Sequence, residues 1–225
     1  MPRILPALAA ILTFPVATEA AIFSPDGATA SSAFNASYDA GNTIDGSGLP
    51  IGFGPGDIHA TYAANNHWTT AASTNPLDQW IEWSFSGGAS IGGLYIWNHL
   101  SNDIASNPDY EPTLFSLTFL DGVGGTLASF SGVNLLPQPS SGPVGLSQAF
   151  SLDAVLTGVF AVRFDVDGKE GALTGSQAYT GLAEVLFTDG TLSGATQLAP
   201  VPLPASGLLL LAALGGARLA RRRKS

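Results

Sequence analysis

The strongest constraint on the fold is a series of short segments in which apolar and polar residues alternate. In the first of them Ile81, Trp83 and Phe85 share one face, because side chains of a strand point alternately to opposite sides. The pattern predicts strands over residues 80–85, 91–97, 114–120, 126–130, 158–166 and 182–187. Asp-Gly pairs predict turns at 121–122, 167–168 and 189–190. No helical period persists between these segments, so the sequence predicts an all-β sandwich or jelly roll.

The body of the chain is strongly acidic. Between Ala21 and Pro200 two bases, Arg163 and Lys169, stand against sixteen acids and leave a net charge of −14, whereas the whole chain carries −9. Such a charge disfavours nucleic acid and anionic membrane surfaces as partners, and it suits an exterior that contains divalent cations. The sequence has no cysteine, which excludes disulfides, thiolate metal sites and cysteine nucleophiles.

The first twenty residues have the order of a secretory signal peptide. A single basic residue precedes an apolar run over 4–16, and small residues surround a cleavage site after Ala20. A short buried helix is the alternative, but Pro6 and Pro15 disfavour it. We therefore predict a signal peptide over 1–20 and export of the chain.

The other end has the parts of a sorting tail. After a domain over 21–190, residues 191–200 are predicted to form a short linker. An apolar stretch over 201–217 is just long enough to cross a bilayer as a helix, and a basic cluster follows it, which predicts a cytoplasmic end. The stretch opens with Val201, Pro202, Leu203, Pro204 and Ala205.

This tail resembles the VPLPA variant of PEP-CTERM sorting signals, which are processed by exosortases, integral-membrane proteases of Gram-negative bacteria. The resemblance implies a precursor anchored in the inner membrane by a transmembrane helix within 201–225. It also implies cleavage by exosortase and a final place at the cell surface or outside the cell. A sortase signal is the alternative, since residues 203–207 resemble LPxTG with Ser206 in place of Thr. The complete five-residue match favours the exosortase.

Five blocks of the body carry a second resemblance. They cover residues 43–46, 66–69, 79–85, 91–98 and 179–187. In order and spacing they resemble the discoidin, or coagulation factor 5/8 type C, domains of the galactose-binding-like superfamily. The resemblance implies a jelly-roll β-sandwich that binds carbohydrate without catalysis, with exopolysaccharide as the expected glycan. Two departures are the long insert over 47–62 and Asn66, which stands where the family usually has Thr.

The same resemblance implies a structural calcium site. Asp45 and Glu184 match positions at which that family often binds the ion, and Asn42 and Asn66 can add oxygens. Calcium prefers several hard oxygen ligands, as these side chains offer. The alternative is that Asp45 is a turn residue and Glu184 a solvated carboxylate on an edge strand. Residues 165–170 also resemble part of a calcium loop, but they lack the EF-hand spacing, so a hairpin turn is favoured there.

Polar residues after the second predicted strand are the candidates for contact with a glycan. Asn98, His99, Asn102 and Asp103 offer donors and acceptors for hydroxyl groups, and Trp97 can add a stacking face. Loops at the end of a sandwich can present such groups without disturbing the core. An ordinary polar loop is the alternative.

Catalytic motifs are missing from the sequence. The three histidines lack the spacing of a metal-binding helix, and neither a nucleophile elbow nor a phosphate loop occurs. Of the four tryptophans, Trp68, Trp80 and Trp83 are expected mostly in the core. The sequence therefore predicts a noncatalytic surface or matrix protein that binds carbohydrate. The alternative is a structural surface protein without a specific ligand.

Overall fold

The computed structural model describes residues 20–72, 75–100, 110–137, 145–171, 173 and 178–200. It contains nine strands: β1 Ile22–Phe23, β2 Gly27–Ala30, β3 Trp68–Thr69, β4 Trp80–Asn98, β5 Pro112–Leu120, β6 Thr126–Asn134, β7 Gln148–Lys169, β8 Gly181–Thr188 and β9 Thr196–Gln197. Three short 3-10 helices cover Ala36–Tyr38, Ala40–Thr43 and Pro76–Asp78. The prediction of an all-β domain is confirmed.

Almost all of the two predicted targeting segments lies outside the described residues. This applies to residues 1–19 of the signal peptide predicted over 1–20, to the sorting motif from Val201 to Ala205 and to the transmembrane helix expected within 201–225. Within the described residues, the helices are all too short to span a bilayer.

Two long strands join the two layers of a sandwich. Register shifts between Ser84 and Gly93 bend β4, so that its first part pairs with β2 and the end of β7, and its last part pairs with β8 and the start of β7. Strands β5 and β6 extend the first layer beyond β7, and β1, β3 and β9 lie in the second. The segments predicted separately over 80–85 and 91–97 are therefore one continuous bent strand, because bulges bend a strand without ending it.

The core lies between these layers. Alternate residues of β5 and of the first part of β4 are fully or almost fully buried, as the period-2 pattern predicts, whereas the last part of β4 is buried on both faces. Aromatic rings meet across the layers, with the Phe187 ring centroid 5.8 Å from that of Trp83 and 5.2 Å from that of Phe85. Each large apolar side chain buried in this way contributes about 1.5–3 kcal/mol. Trp68 and Trp83 are core residues, as predicted, whereas Trp80 is half-buried beneath the Arg163 guanidinium at 4.4 Å.

Two local predictions are wrong. Asp167 and Gly168 form no turn but continue β7, where Gly168 lies opposite Leu114 of β5. Residues 191–200 are not a linker, because they add β9 in parallel to β7 and bury Leu198 in the core. By contrast, the turn after β5 is confirmed, since the Gly124 N–H donates to the Asp121 carbonyl at 3.1 Å.

The insert over 47–62 covers the outer face of the second layer. Its Leu49 and Phe53 pack against a small second core made by Trp97, Ala183 and Leu186. Gly46 makes this possible because its φ is +71° and a Cβ there would lie 2.3 Å from the Phe53 ring. The insert thus begins beside the turn at Asp45 and ends at Tyr62.

Candidate functional site

Six aromatic side chains form a closed circuit at one end of the sandwich. Each ring contacts the next, with centroids 4.9–5.8 Å apart. In order around this aromatic circuit they are Phe34, Tyr38, Tyr62, His99, Tyr110 and Tyr179, and Tyr179 closes on Phe34. The rings come from five separate parts of the chain, so the fold alone brings them together.

Backbone hydrogen bonds fix the segments that carry these rings. The Phe34 N–H donates to the Thr69 carbonyl at 2.7 Å, which ties the segment after β2 to β3. The Tyr62 N–H donates to the Leu100 carbonyl at 2.7 Å, and the Gly181 N–H donates to the Tyr110 carbonyl at 3.1 Å. Loops held in this way by a rigid sheet are the usual carriers of binding residues.

Four rings of the circuit line a pocket of about 210 Å³. Its walls are Phe34, Tyr62, Tyr110 and Tyr179, and Thr69 also lines it. Two successive walls meet nearly at right angles, with 86° between the Phe34 and Tyr179 rings and 73° between the Tyr179 and Tyr110 rings. Pockets for drug-sized ligands measure about 300–1,000 Å³, so this one suits a single small ring or head group.

The Thr69 hydroxyl is a polar group in the lining of the pocket. Thr69 is 2% exposed, and its hydroxyl interacts with the Tyr62 side chain. Burial raises the pKa of Tyr62; the nearby Tyr38 hydroxyl adds to this rise, and the Thr69 hydroxyl opposes it.

Three buried histidines pack against one another, and one of them, His99, belongs to the circuit. The His67 ring lies 4.8 Å from His59 and 5.0 Å from His99, centroid to centroid. Burial lowers the pKa of all three imidazoles, with that of His99 at about 3, so the cluster is neutral at pH 7. Within the described residues, no three His, Asp or Glu side chains converge as metal ligands.

Asp45 and Glu184 come together, one from each end of the fold. Glu184 is fully buried in β8; its Oε2 accepts from the Gly46 N–H at 3.1 Å, and its Oε1 has no partner. Burial raises the pKa of Glu184 to about 9, the Asp45 carboxylate adds to the rise, and the Gly46 hydrogen bond opposes it. The alternative of a solvated edge carboxylate is therefore wrong. An unpaired buried carboxyl oxygen beside a second carboxylate fits a bound cation.

The two asparagines named with this pair have other partners. The Asn66 Oδ1 accepts from the Ala63 N–H at 2.7 Å, and its Nδ2 donates to the Thr61 carbonyl at 3.0 Å. The Asn42 amide donates to the Ser37 and His67 carbonyls. These hydrogen bonds tie the two asparagine side chains to the backbone of neighbouring loops. A role of Asn66 as a metal ligand stays a prediction.

The residues predicted to contact a glycan are placed differently from expectation. Trp97 is fully buried in the second core and donates to the Asp57 carbonyl, so it offers no stacking face to solvent. Asn98 is buried and its amide holds the Pro112 carbonyl at 3.0 Å. His99 is buried but belongs to the aromatic circuit. Asn102 and Asp103 lie outside the described residues.

Sequence reasoning missed the pocket walls Phe34, Tyr62, Tyr110 and Tyr179. Each lies outside the strands in a loop or turn, where no alternating pattern marks it. The signal that could have found them is the presence of large aromatic residues in loops, where they have no strand face to bury.

No protein-family model matches this sequence, and no curated protein matches it. Solved structures resemble the fold. The family 32 CBM from C. perfringens NanJ in complex with galactose is 12% identical, and the match covers 75% of this chain and 99% of that chain with a TM-score of 0.47. A fucose binding module from Streptococcus pneumoniae is 16% identical, with 72% and 90% covered and a TM-score of 0.45. A mutant lectin binding domain of lectinolysin complexed with Lewis b is 16% identical, with 73% and 92% covered and a TM-score of 0.49.

Proposed function

We propose that this chain is an exported, noncatalytic protein that binds a glycan in the pocket lined by four rings of the aromatic circuit. The observation that carries the proposal is the pocket itself: four aromatic side chains line a small volume, and the Thr69 hydroxyl adds a polar group to the lining. Ligand sites in proteins combine aromatic walls with a few placed polar groups in this way. Exopolysaccharide of a cell surface is the expected source of the glycan.

Packing and polarity support a sugar as the ligand. A sugar ring has apolar C–H faces and hydroxyls at its rim, and tyrosine offers both an apolar ring face and a polar hydroxyl. The walls are partly exposed, with Phe34 at 49%, so a ring can enter from solvent. Because the circuit includes the neutral His99 and no carboxylate lines the pocket among the described residues, the arrangement supports binding and not acid–base cleavage.

Export and sorting form a second part of the proposal. A signal peptide over 1–20 would direct the chain out of the cytoplasm, and the tail from Val201 onward would hold it in the inner membrane until exosortase cuts it. The acidic body suits a location outside the cell, where divalent cations are present. Intact-mass analysis of native protein tests this part. We expect a product that lacks residues 1–20 and the terminal basic cluster, and full-length masses in every molecule would contradict it.

Calcium forms the third part. Asp45 and Glu184 would hold the ion together with oxygens of the turn at Asp45, and the ion would supply the positive charge that keeps the buried Glu184 carboxylate ionised. The unpaired Oε1 of Glu184 supports this proposal. The role is structural, because the site joins the start of the insert to β8.

A glycan array with the full chain tests the binding proposal. Tyr179→Leu removes one wall, and Phe160→Leu is the matched control, since Phe160 is a partly exposed ring outside the pocket lining. We expect a signal that Tyr179→Leu loses and Phe160→Leu keeps. If no glycan binds the parent chain, the alternative of a structural surface protein without a specific ligand replaces this proposal.

A further inference from the structure

We infer that removal of the signal peptide creates an ion pair at the start of the folded domain. The α-ammonium group that cleavage leaves on Ala21 binds the carboxylate of Asp189 and anchors the open end of β1. This inference rests on the proposed export of the chain and adds the partner of the new chain end. It follows from the position of Ala21 in the sheet, its hydrogen bonds and the space beside it.

The first strand lies directly after the predicted cleavage site. The sequence predicts cleavage after Ala20, and β1 begins at Ile22 and pairs with β8. Phe23 of β1 reaches the core, where its ring centroid lies 5.9 Å from that of Phe85 and 6.3 Å from that of Phe187. Cleavage at this position therefore keeps the whole of β1 with the folded domain.

Ala21 and Asp189 form the last pair of the ladder between β1 and β8. The Asp189 N–H donates to the Ala21 carbonyl at 3.1 Å, as in a regular antiparallel pair. The return bond differs from the regular pattern, in which the acceptor is a backbone carbonyl. Here the Ala21 N–H donates to the side-chain Oδ1 of Asp189 at 2.7 Å. A carboxylate therefore already faces the nitrogen atom that cleavage converts into an ammonium group.

Cleavage changes the charge of this nitrogen and not its position. Water adds across the peptide bond between Ala20 and Ala21, and the proton of the new Ala20 carboxylic acid passes to the Ala21 amine. Ala20 leaves with the signal peptide as a carboxylate, and Ala21 keeps an ammonium group at pH 7. This group has three N–H donors in place of one, so it can keep the bond to Asp189. Because donor and acceptor are then both charged, the hydrogen bond becomes stronger.

The surroundings suit the cut chain and also accommodate the uncut one. The body is acidic, and its two bases, Arg163 and Lys169, lie in β7, whereas Asp189 follows β8. A new cation is therefore favoured beside this carboxylate. In the uncut chain Ala20 passes close to Gly190, where a Cβ on the glycine would lie 2.8 Å from the Ala20 Cβ. The glycine leaves room for the residue that joins the signal peptide to β1, so the same pair can form before and after cleavage.

The pKa of the Ala21 α-amine tests the pair, because an exposed ion pair changes stability little. The exported protein is purified from cells grown on carbon-13 alanine, its first residue is identified by sequencing, and the Ala21 methyl resonance is followed against pH by NMR. A carboxylate in contact raises the pKa of an α-amine above its usual range of about 7.7–8.0. We expect that pKa to be at least about 0.5 higher than in Asp189→Asn, which keeps the side-chain oxygen but loses the charge. Asp78→Asn, which removes an equal charge before the start of β4, should change it by less than about 0.2.

The outcomes separate this inference from the export on which it rests. If the exported protein begins at a residue other than Ala21, the signal peptide is removed but this pair does not form, and only the inference falls. If the protein begins at Ala21 and Asp189→Asn leaves the pKa of the α-amine unchanged, the ammonium group does not pair with Asp189, which also overturns the inference. If every molecule keeps residues 1–20, the inference and the proposed export both fall.

Discussion

Replacing Glu184 by glutamine should stabilise the protein when calcium is absent. The Glu184 carboxyl is fully buried, accepts one hydrogen bond from the Gly46 N–H and leaves Oε1 without a partner. Burial, and to a lesser extent the nearby Asp45 carboxylate, raises the pKa of Glu184 from its ordinary value of 4.5 to about 9. At pH 7 the folded protein therefore holds a proton that the unfolded chain releases. Glutamine has nearly the same shape and needs no proton.

The size of the effect follows from that proton. Protonating a carboxyl of pKa 4.5 at pH 7 costs about 3 kcal/mol, which is the stabilisation expected for Glu184→Gln at this pH. Because the folded pKa of Glu184 is raised, the contribution of this group to the parent's stability is full below pH 4.5 and is lost as pH rises through about 9. The advantage of the glutamine variant should therefore vanish near pH 4.5 and grow with pH.

Urea unfolding in the presence of chelator measures the effect of the substitution on stability, and the same measurement with calcium gives the effect of the ion. In chelator Glu184→Gln should be the more stable protein. Calcium at a hundredfold excess over its dissociation constant should add about 2.7 kcal/mol to the parent and much less to the variant. Asp153→Asn removes an exposed carboxylate of β7 and should change neither result. If the glutamine variant is less stable than the parent in chelator, burial of the Glu184 carboxyl does not cost stability in the way argued here. If calcium leaves the stability of the parent unchanged, only the calcium proposal falls.

Two further predictions concern the histidine cluster and a close backbone contact. In the Glu184→Gln background, stability should fall as pH drops from 6.5 to 5, by about 2 kcal/mol for each buried neutral histidine. His99→Gln should reduce that slope in urea melts, and an unchanged slope would contradict it. Gly92→Ala should cost about 1–3 kcal/mol, because its Cβ would lie 2.3 Å from the Gly190 backbone, whereas Gly87→Ala in the same strand meets nothing. Equal unfolding midpoints of the Gly92→Ala and Gly87→Ala variants would contradict this prediction.

The strands were predictable because their signal is local. Alternation of apolar residues with a period of two marked parts of β4 to β8, since one face of each strand must reach the core. The same reasoning could not tell that two segments of β4 are one bent strand, because a bulge leaves no periodic mark. It also misplaced residues 191–200, where a single buried residue, Leu198, and two residues of β9 suffice to dock the segment.

The candidate site was less predictable because it is nonlocal. The pair of Asp45 and Glu184 was named from the order of sequence blocks, and the structure brings the two together. Trp97 was expected to offer a face to a ligand, but the insert over 47–62 covers it. Sequence alone does not say which layer a long loop covers. The walls of the pocket, such as Tyr110 and Tyr179, meet only after all strands have paired.

The tyrosines of this chain report directly on whether a glycan binds in the pocket. Four of the five lie in the aromatic circuit, and the fifth, Tyr95, packs against the second core. With ring-labelled tyrosine, NMR spectra of the full chain are recorded during titration with a glycan that the array identifies. We predict that the resonances of Tyr62, Tyr110 and Tyr179 shift together with one dissociation constant, while those of Tyr95 stay unchanged. Saturable binding that leaves the resonances of all three pocket tyrosines unshifted would show that the glycan binds elsewhere.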